Sequence, residues 1–235
     1  RWRQAHRPPR LLAVPLSDLG DASGWIAYLD DAQLRQQKPN AAAHLLEIAA
    51  AAAIPARNAR RHADALELTL RDPLTGLYNR RAYEALLERE EQRARRGGQS
   101  LALILIDLDH FKSLNDTYGH PMGDRALLLL SQVLLDAVRR SDIVARPGGD
   151  EFSIVLPETG AAGAARIASR IRRRLGETPL ICGSGIEPFH LSISCGIADL
   201  DDARGEAETM IHLADKALYE AKRSGRNQVL RAARN

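Results

Sequence analysis

The sequence predicts an α+β fold in which helices pack on a central, mostly antiparallel sheet of ferredoxin-like layout. Three observations predict it. From residue 72 onward, apolar runs of strand length alternate with longer segments of helical period. Residues 143–145 and 153–156 read as two short strands with a Gly148-Gly149 turn between them, where missing side chains admit positive φ and close approach of a ligand. At 235 residues and 45% hydrophobic content, the chain can bury a substantial core in one or two domains.

Residues 11–15 and 24–29 read as strands joined by a polar turn containing Gly20, Asp21 and Ser23. From about 40 to 70 the chain becomes alanine-rich and helical, with Leu45, Leu46, Ile48, Leu66 and Leu70 as its larger apolar residues and Pro55 interrupting it near Ile54. This helix suits a coiled-coil seam, or packing on its own domain, since its heptad pattern is weak. There follow a helix over 80–95, a strand over 101–106, helices over 109–117 and 124–139, the hairpin 143–156, and a helix over 161–175. A strand over 191–198, a helix over 206–223 and a strand over 227–230 complete the order. The stretch from Gly160 to Gly163 lacks the Lys-Ser/Thr of a phosphate loop and reads as a helix start. The division expected is 1–40, then a connecting helix over 41–71, then a domain over 72–235.

The net charge of +3 and the pI near 9.1 arise from scattered arginines such as Arg93, Arg95 and Arg96, and only 4% of residues are aromatic. That balance argues against nucleic acid as a partner. Cys182 and Cys195 are too few for a disulfide framework or a zinc site, and read as buried thiols in a reducing cytoplasm. No apolar stretch approaches the roughly 18 residues that span a bilayer. The chain begins at Arg1 without a methionine and so reads as part of a longer protein, with any membrane segment upstream.

Asp107-Leu108-Asp109 follows one strand, and Gly148-Gly149-Asp150-Glu151-Phe152 lies within the hairpin. Two carboxylate pairs on neighbouring strand ends form a cradle for a divalent cation and the phosphates it carries. Asp150 and Glu151 are adjacent, so on extended backbone they point to opposite faces and only one meets a given metal ion squarely. Magnesium usually takes one or two carboxylates plus substrate phosphates, so Asp107 and Glu151 suffice. The chemistry indicated is phosphoryl transfer. The plainer alternative is a pair of salt-bridged surface turns.

These blocks resemble the GGDEF family of diguanylate cyclases over about two thirds of the chain, from Asp72 to about Asn227. The match opens with Asp72-Pro73-Leu74-Thr75-Gly76-Leu77-Tyr78-Asn79-Arg80-Arg81. It continues through Asp107-Leu108-Asp109-His110-Phe111-Lys112, Asn115-Asp116-Thr117-Tyr118-Gly119-His120 and Gly123-Asp124. It closes with Asp215-Lys216-Ala217-Leu218-Tyr219-Glu220-Ala221-Lys222 and Gly225-Arg226-Asn227. The resemblance implies a nucleotidyl cyclase-like domain that condenses two GTP into cyclic di-GMP and two pyrophosphates between two domains of a homodimer.

By that resemblance Asp107, the backbone carbonyl of Leu108 and Glu151 hold magnesium, or manganese in its place, with Asp150 beside them. Asp150 is the expected general base, unless the metal generates the nucleophile without one. Lys112 supplies a point charge to the phosphates, and Lys222 with Arg226, four apart at a helix end, clamps the terminal ones. Outside such a motif each would read as a surface cation. Asn115 and Asp124 are expected on the guanine edge with His120 in the same pocket wall, and Phe111, Gly148 and Gly149 complete the GTP contacts. Asp124 also stands where a helix N-cap is expected. Arg139 and Asp142 match the family's inhibitory product site, and Arg170 joins them from the following helix.

Pro147 stands where the family commonly has an aromatic residue, and proline there removes a backbone donor and stands to tilt the loop. It is the one feature that favours a catalytically silent receptor of GTP or cyclic di-GMP. Upstream, residues 11–16 and 24–29 with a helix through Asn58 resemble the last part of a GAF sensory domain. A cyclase acting within one ATP is disfavoured by Asn115 and Asp124.

Overall fold

The computed structural model describes residues 10–15, 25–30, 70–181 and 188–232. Cys182 and the expected connecting helix over 41–71 lie outside the described residues, except for Leu70 and Arg71, which form a turn and a bridge rather than helix. The chain divides into two units, Arg1–Thr69 and Leu70–Asn235. In the first, β1 (Arg10–Pro15) and β2 (Trp25–Asp30) pair antiparallel, with Arg10 opposite Asp30 and Pro15 opposite Trp25.

The second unit contains α1 (Arg80–Gly97), β3 (Leu101–Leu108), α2 (Phe111–Tyr118), α3 (His120–Ala137), β4 (Ile143–Gly148) and β5 (Glu151–Pro157). Beyond these lie α4 (Ala161–Glu177), the short pair β6 (Pro179–Leu180) and β7 (Phe189–His190), then β8 (Ile193–Asp199), α5 (Ala207–Arg223) and β9 (Val229–Arg231). The main sheet runs β4-β5-β3-β8-β9, antiparallel throughout except for the parallel pair β8 and β9.

The unbroken apolar run over 101–106 of β3 follows from helices covering both sheet faces. Ala102, Ile104, Ile106 and Leu108 pack with Leu127, Leu130 and Leu134 of α3 and with Ala164, Ala168 and Ile171 of α4. Leu101 and Leu103 pack on the other face with Tyr83 and Leu87 of α1 and Met210 and Ala214 of α5. Each fully buried Leu or Ile contributes about 1.5–3 kcal/mol relative to exposure. Helix α5 presses onto β8 at Gly196, where a Cβ would lie 2.1 Å from the Ala214 carbonyl oxygen and 2.3 Å from the Leu218 nitrogen.

Three local expectations are corrected. Strand β3 runs two residues further than expected, so Asp107 and Leu108 belong to the ladder. Helix α2 starts at Phe111 rather than 109, because His110 takes the left-handed conformation at φ 59. Asp124 is not an N-cap: α3 begins at His120 behind Gly119, with Pro121 in its first turn, so Asp124 stands inside the helix. Proline fixes φ and lacks a donor that the first turn leaves unused in any case.

The segment before α1 belongs to the sheet. Arg71 bridges Tyr78, and Tyr78 pairs in parallel with Ala145 at the β4 edge. Among the described residues no helix is long and apolar enough to cross a membrane.

Candidate active site

Residue parity on β3 decides what Asp107 meets. It shares the odd-numbered face with Leu101 and Leu103, the face that α5 covers. Lys222 lies in the last turn of α5, where a cation also complements the helix dipole, and its Nζ is 2.7 Å from Asp107 Oδ2. Directly opposite Asp107 on β5 is Glu151, so the two side chains share a face. Burial pushes the Asp107 carboxyl up, Lys222 offsets part of this, and the charges of Asp150 and Asp109 push it up further.

Asp107 is 8% exposed, while Glu151 is open to solvent. The Leu108 side chain is buried, which leaves its backbone as the group available to a ligand, and its N–H donates to the Asp150 carbonyl at 3.3 Å. Among the described residues no three His, Cys, Asp or Glu side chains form a metal cage. Two facing carboxylates with solvent and phosphate to complete the shell are what magnesium takes, so this donor set fits it.

The turn bearing Asp150 is braced from the start of the unit. Gly149 has φ 53, a conformation that suits glycine, and its carbonyl accepts from Arg146 Nε at 2.9 Å and Nη2 at 2.7 Å. Arg146 Nη1 reaches Asp72 Oδ1 at 2.9 Å, and the same oxygen accepts from the Thr75 backbone N–H and hydroxyl. Burial opposes ionisation of Asp72, but the Thr75 hydrogen bonds and Arg146 outweigh it and hold the carboxyl below its ordinary value. The β4–β5 register shifts between Ala145 and Gly148, so the donor missing from Pro147 falls in an irregularity of the ladder.

Helices α2 and α3 form a second wall. Asn115 Oδ1 is buried without a hydrogen-bond partner, which leaves an acceptor for an N–H donor. The Asn115 side chain occupies the space a Cβ of Gly123 would take, 2.0 Å from Oδ1, and Phe111 lies against the same point at 3.2 Å. His120 and Asp124 are exposed on α3, and Lys112 is exposed on α2 without an ion-pair partner among the described residues.

Arg139, Asp142 and Arg170 line one groove of about 550 Å³, joined by Arg166. Asp142 Oδ2 accepts from the Arg139 backbone N–H at 2.8 Å, and Arg170 donates to the Ala137 carbonyl. This groove flanks the start of β4, whereas Asp150 and Glu151 follow its end, roughly 17 Å away at about 3.3 Å per residue.

Two expectations change. Asp109 is not the second half of a metal-facing pair, since its carboxylate accepts from the Ser192 and Ser194 hydroxyls at 2.8 and 2.7 Å and from the Asn227 backbone N–H at 2.9 Å. The expected placing of Lys222 and Arg226 along one helix also changes: Lys222 is in the last turn of α5 and rests on Asp107, while Arg226 lies beyond the helix in a turn where Gly225, Arg226 and Asn227 all have positive φ. Sequence reasoning missed Arg146, Asp72 and Arg166 as site-building residues. The position of Arg146 immediately before Pro147-Gly148-Gly149 was the available signal.

A profile of the diguanylate cyclase GGDEF domain matches residues 69–228. The chain is similar to the response regulator PleD of Caulobacter vibrioides, 40% identical over 165 residues, covering 70% of this chain and 36% of PleD. It is similar to diguanylate cyclase DosC of Escherichia coli, 46% identical over 158 residues, covering 67% of this chain and 34% of DosC. It thus spans about a third of the length of these relatives. Among solved structures, the coiled coil and GGDEF domain of DgcB from Caulobacter crescentus, in complex with c-di-GMP, superposes with a TM-score of 0.72 at 31% identity, covering 80% of this chain and 99% of that one. With the profile spanning more than half of its residues and its sheet carrying the Gly-Gly-Asp-Glu-Phe turn, this chain belongs to the GGDEF family of diguanylate cyclase domains.

Proposed function

We propose that this chain condenses two GTP into cyclic di-GMP and two pyrophosphates as a homodimer, each domain presenting one GTP to the other. The observation that carries the reading is the register pair of Asp107 and Glu151 on adjacent strands, with Lys222 on Asp107. Each ribose 3′-oxygen forms a bond to the α-phosphorus of the other GTP as its proton leaves, and the bond to the β-phosphate bridging oxygen breaks. Such a displacement is governed by positioning and charge neutralisation.

Magnesium, or manganese in its place, held by Asp107, the Leu108 carbonyl and Glu151, supplies neutralising charge at the phosphates. Asp150 is the group for the hydroxyl proton. Lys112, Lys222 and Arg226 are the phosphate cations. The unpartnered Asn115 oxygen suits a guanine N–H donor and is unsuited to the corresponding acceptor of adenine, with Phe111 packed at the same point and Asp124 and His120 exposed on α3. Gly148 and Gly149 leave room for the nucleotide at the turn.

The groove of Arg139, Asp142 and Arg170 is read as a site for product, where the Arg139 guanidinium meets the O6 and N7 edge of guanine. The similar DgcB domain is in complex with c-di-GMP, which supports binding of product by a domain of this kind. Residues 1–40 are read as the last part of a GAF-like sensory segment, and the connecting stretch from 41 up to the turn at Leu70 as the helix that orients two catalytic domains in the cytoplasm.

Pro147 favours a second reading, a silent receptor of GTP or cyclic di-GMP, but its position in the register shift weakens that case. Incubation of nucleotide-free protein with GTP and magnesium across a concentration series separates the two. Cyclic di-GMP formed at a rate per subunit that rises with concentration is the expected result. Tight cyclic di-GMP binding with no synthesis at any concentration would establish the receptor instead.

A further inference from the structure

The turn after α5 is held in an unusual way. Gly225, Arg226 and Asn227 have φ of 112, 59 and 48, so two residues with side chains sit in the left-handed region in succession. Such conformations persist where surrounding structure over-determines them, and they concentrate at functional sites. Two side chains hold this turn. From inside, the Asp109 carboxylate accepts the Asn227 backbone N–H at 2.9 Å, and is itself fixed by Ser192 and Ser194. From outside, Arg172 of α4 donates to both the carbonyl oxygen and Oδ1 of Asn227 at 3.1 Å.

Asp109 is 7% exposed, and a buried carboxylate persists only when hydrogen-bonded. All three of its side-chain bonds tie β8 and the turn to the end of the segment that carries Asp107. That segment therefore holds the carboxylate of the phosphate site and, two residues on, the turn that bears Arg226.

We propose that Asp109 is a positioning residue: through the Asn227 amide it fixes the 225–227 turn against the Asp107 strand and so aims Arg226 at the β- and γ-phosphates of bound nucleotide. Arg172 completes the hold from the opposite side. The inference rests on the GTP reading above and adds a residue that touches neither nucleotide nor metal.

The test compares GTP with GMP, which lacks the phosphates in question. Dissociation constants for both, and KM and kcat, are measured on the full chain with magnesium for wild type, Asp109→Asn, Arg172→Ala, Arg226→Ala and the double variant Asp109→Asn/Arg226→Ala. Loss of a charge-assisted hold predicts GTP affinity weakened about tenfold in Asp109→Asn, with GMP affinity changed less than about twofold. KM rises more than kcat falls, and Asp109→Asn adds less than about twofold in the Arg226→Ala background, because the two act as one unit. Unchanged GTP affinity in Asp109→Asn, or parallel loss of GTP and GMP affinity, overturns the role of Asp109. If Asp109→Asn does not fold, Arg172→Ala decides: a raised GTP-to-GMP ratio of dissociation constants supports the hold, and an unchanged one overturns it. Wild type that binds no GTP overturns the catalytic reading and this inference together.

Discussion

At one end of the β4–β5 hairpin, Glu151 faces an Asp107 that is buried, held by Lys222 and set in the register of the central strands. At the other end, Arg139, Arg166 and Arg170 reach into an open groove from a turn and a helix face, and Asp142 is spent partly on capping its own turn. The first arrangement is fixed by sheet pairing before any ligand arrives. In the second, Arg170 rests on the Ala137 carbonyl, while Arg139 and Arg166 are left to be ordered by what binds, at about 0.5–1.5 kcal/mol for each immobilised side chain. The contrast teaches that the carboxylate end is constrained by folding itself, whereas the groove can vary with little consequence for the core.

The strongest way to break that contrast is Asp107→Ala. On the proposed reading, synthesis is expected to fall at least about a thousandfold, since the carboxylate assigned to magnesium is lost. Cyclic di-GMP affinity, followed by calorimetry, is expected to stay within about twofold; a parallel fall would mean that the two ends are one unit.

Arg139→Ala probes the other end. If the groove is the proposed product site, loss of its guanine contact predicts cyclic di-GMP affinity about 10- to 100-fold weaker and synthesis less inhibited by added product than in wild type. Progress curves that still stall at the wild-type product level would remove the groove from product control.

Gly123→Ala sharpens the contrast at the guanine wall. Its Cβ would lie 2.0 Å from Asn115 Oδ1, so the carboxamide must move and KM for GTP is expected to rise about tenfold. A KM unchanged from wild type would place base recognition elsewhere.

Asp72→Asn is expected to have the smallest effect, about 1–3 kcal/mol in urea unfolding at neutral pH, through loss of charged hydrogen bonds to Arg146 and Thr75. The folded carboxyl titrates below its ordinary 3.8, so its contribution is present above that pH and is lost as pH falls through the lower folded value. The difference between variant and wild type should therefore shrink on acidification below 3.8. A difference independent of pH would point to packing rather than charge.

Much of this arrangement is legible in the chain. β3 declares itself because both of its faces are covered, and the hairpin because two glycines interrupt apolar runs. Asp109 is opaque because its partners Ser192, Ser194 and Asn227 lie 83, 85 and 118 residues away, beyond any local spacing. Asp124 misleads because an acidic residue ahead of an apolar run looks like a cap, while the helix has already begun behind Gly119. The pair β6 and β7 has two residues in each strand, too few to show a period. The meeting of Arg170 with Arg139 depends on how α4 packs beside α3, which no local pattern encodes.

The bridge from Tyr78 to Ala145 and the Arg146 clamp on Asp72 also define where this domain can be cut and rejoined. Residues 70–79 look like the tail of a linker, yet they supply an edge partner for β4 and an anchor for the turn that holds Asp150. A chimera that exchanges the upstream segment therefore has its seam before Leu70. A seam placed at Arg80, the start of the first helix, would graft a new input onto a domain deprived of part of its own sheet.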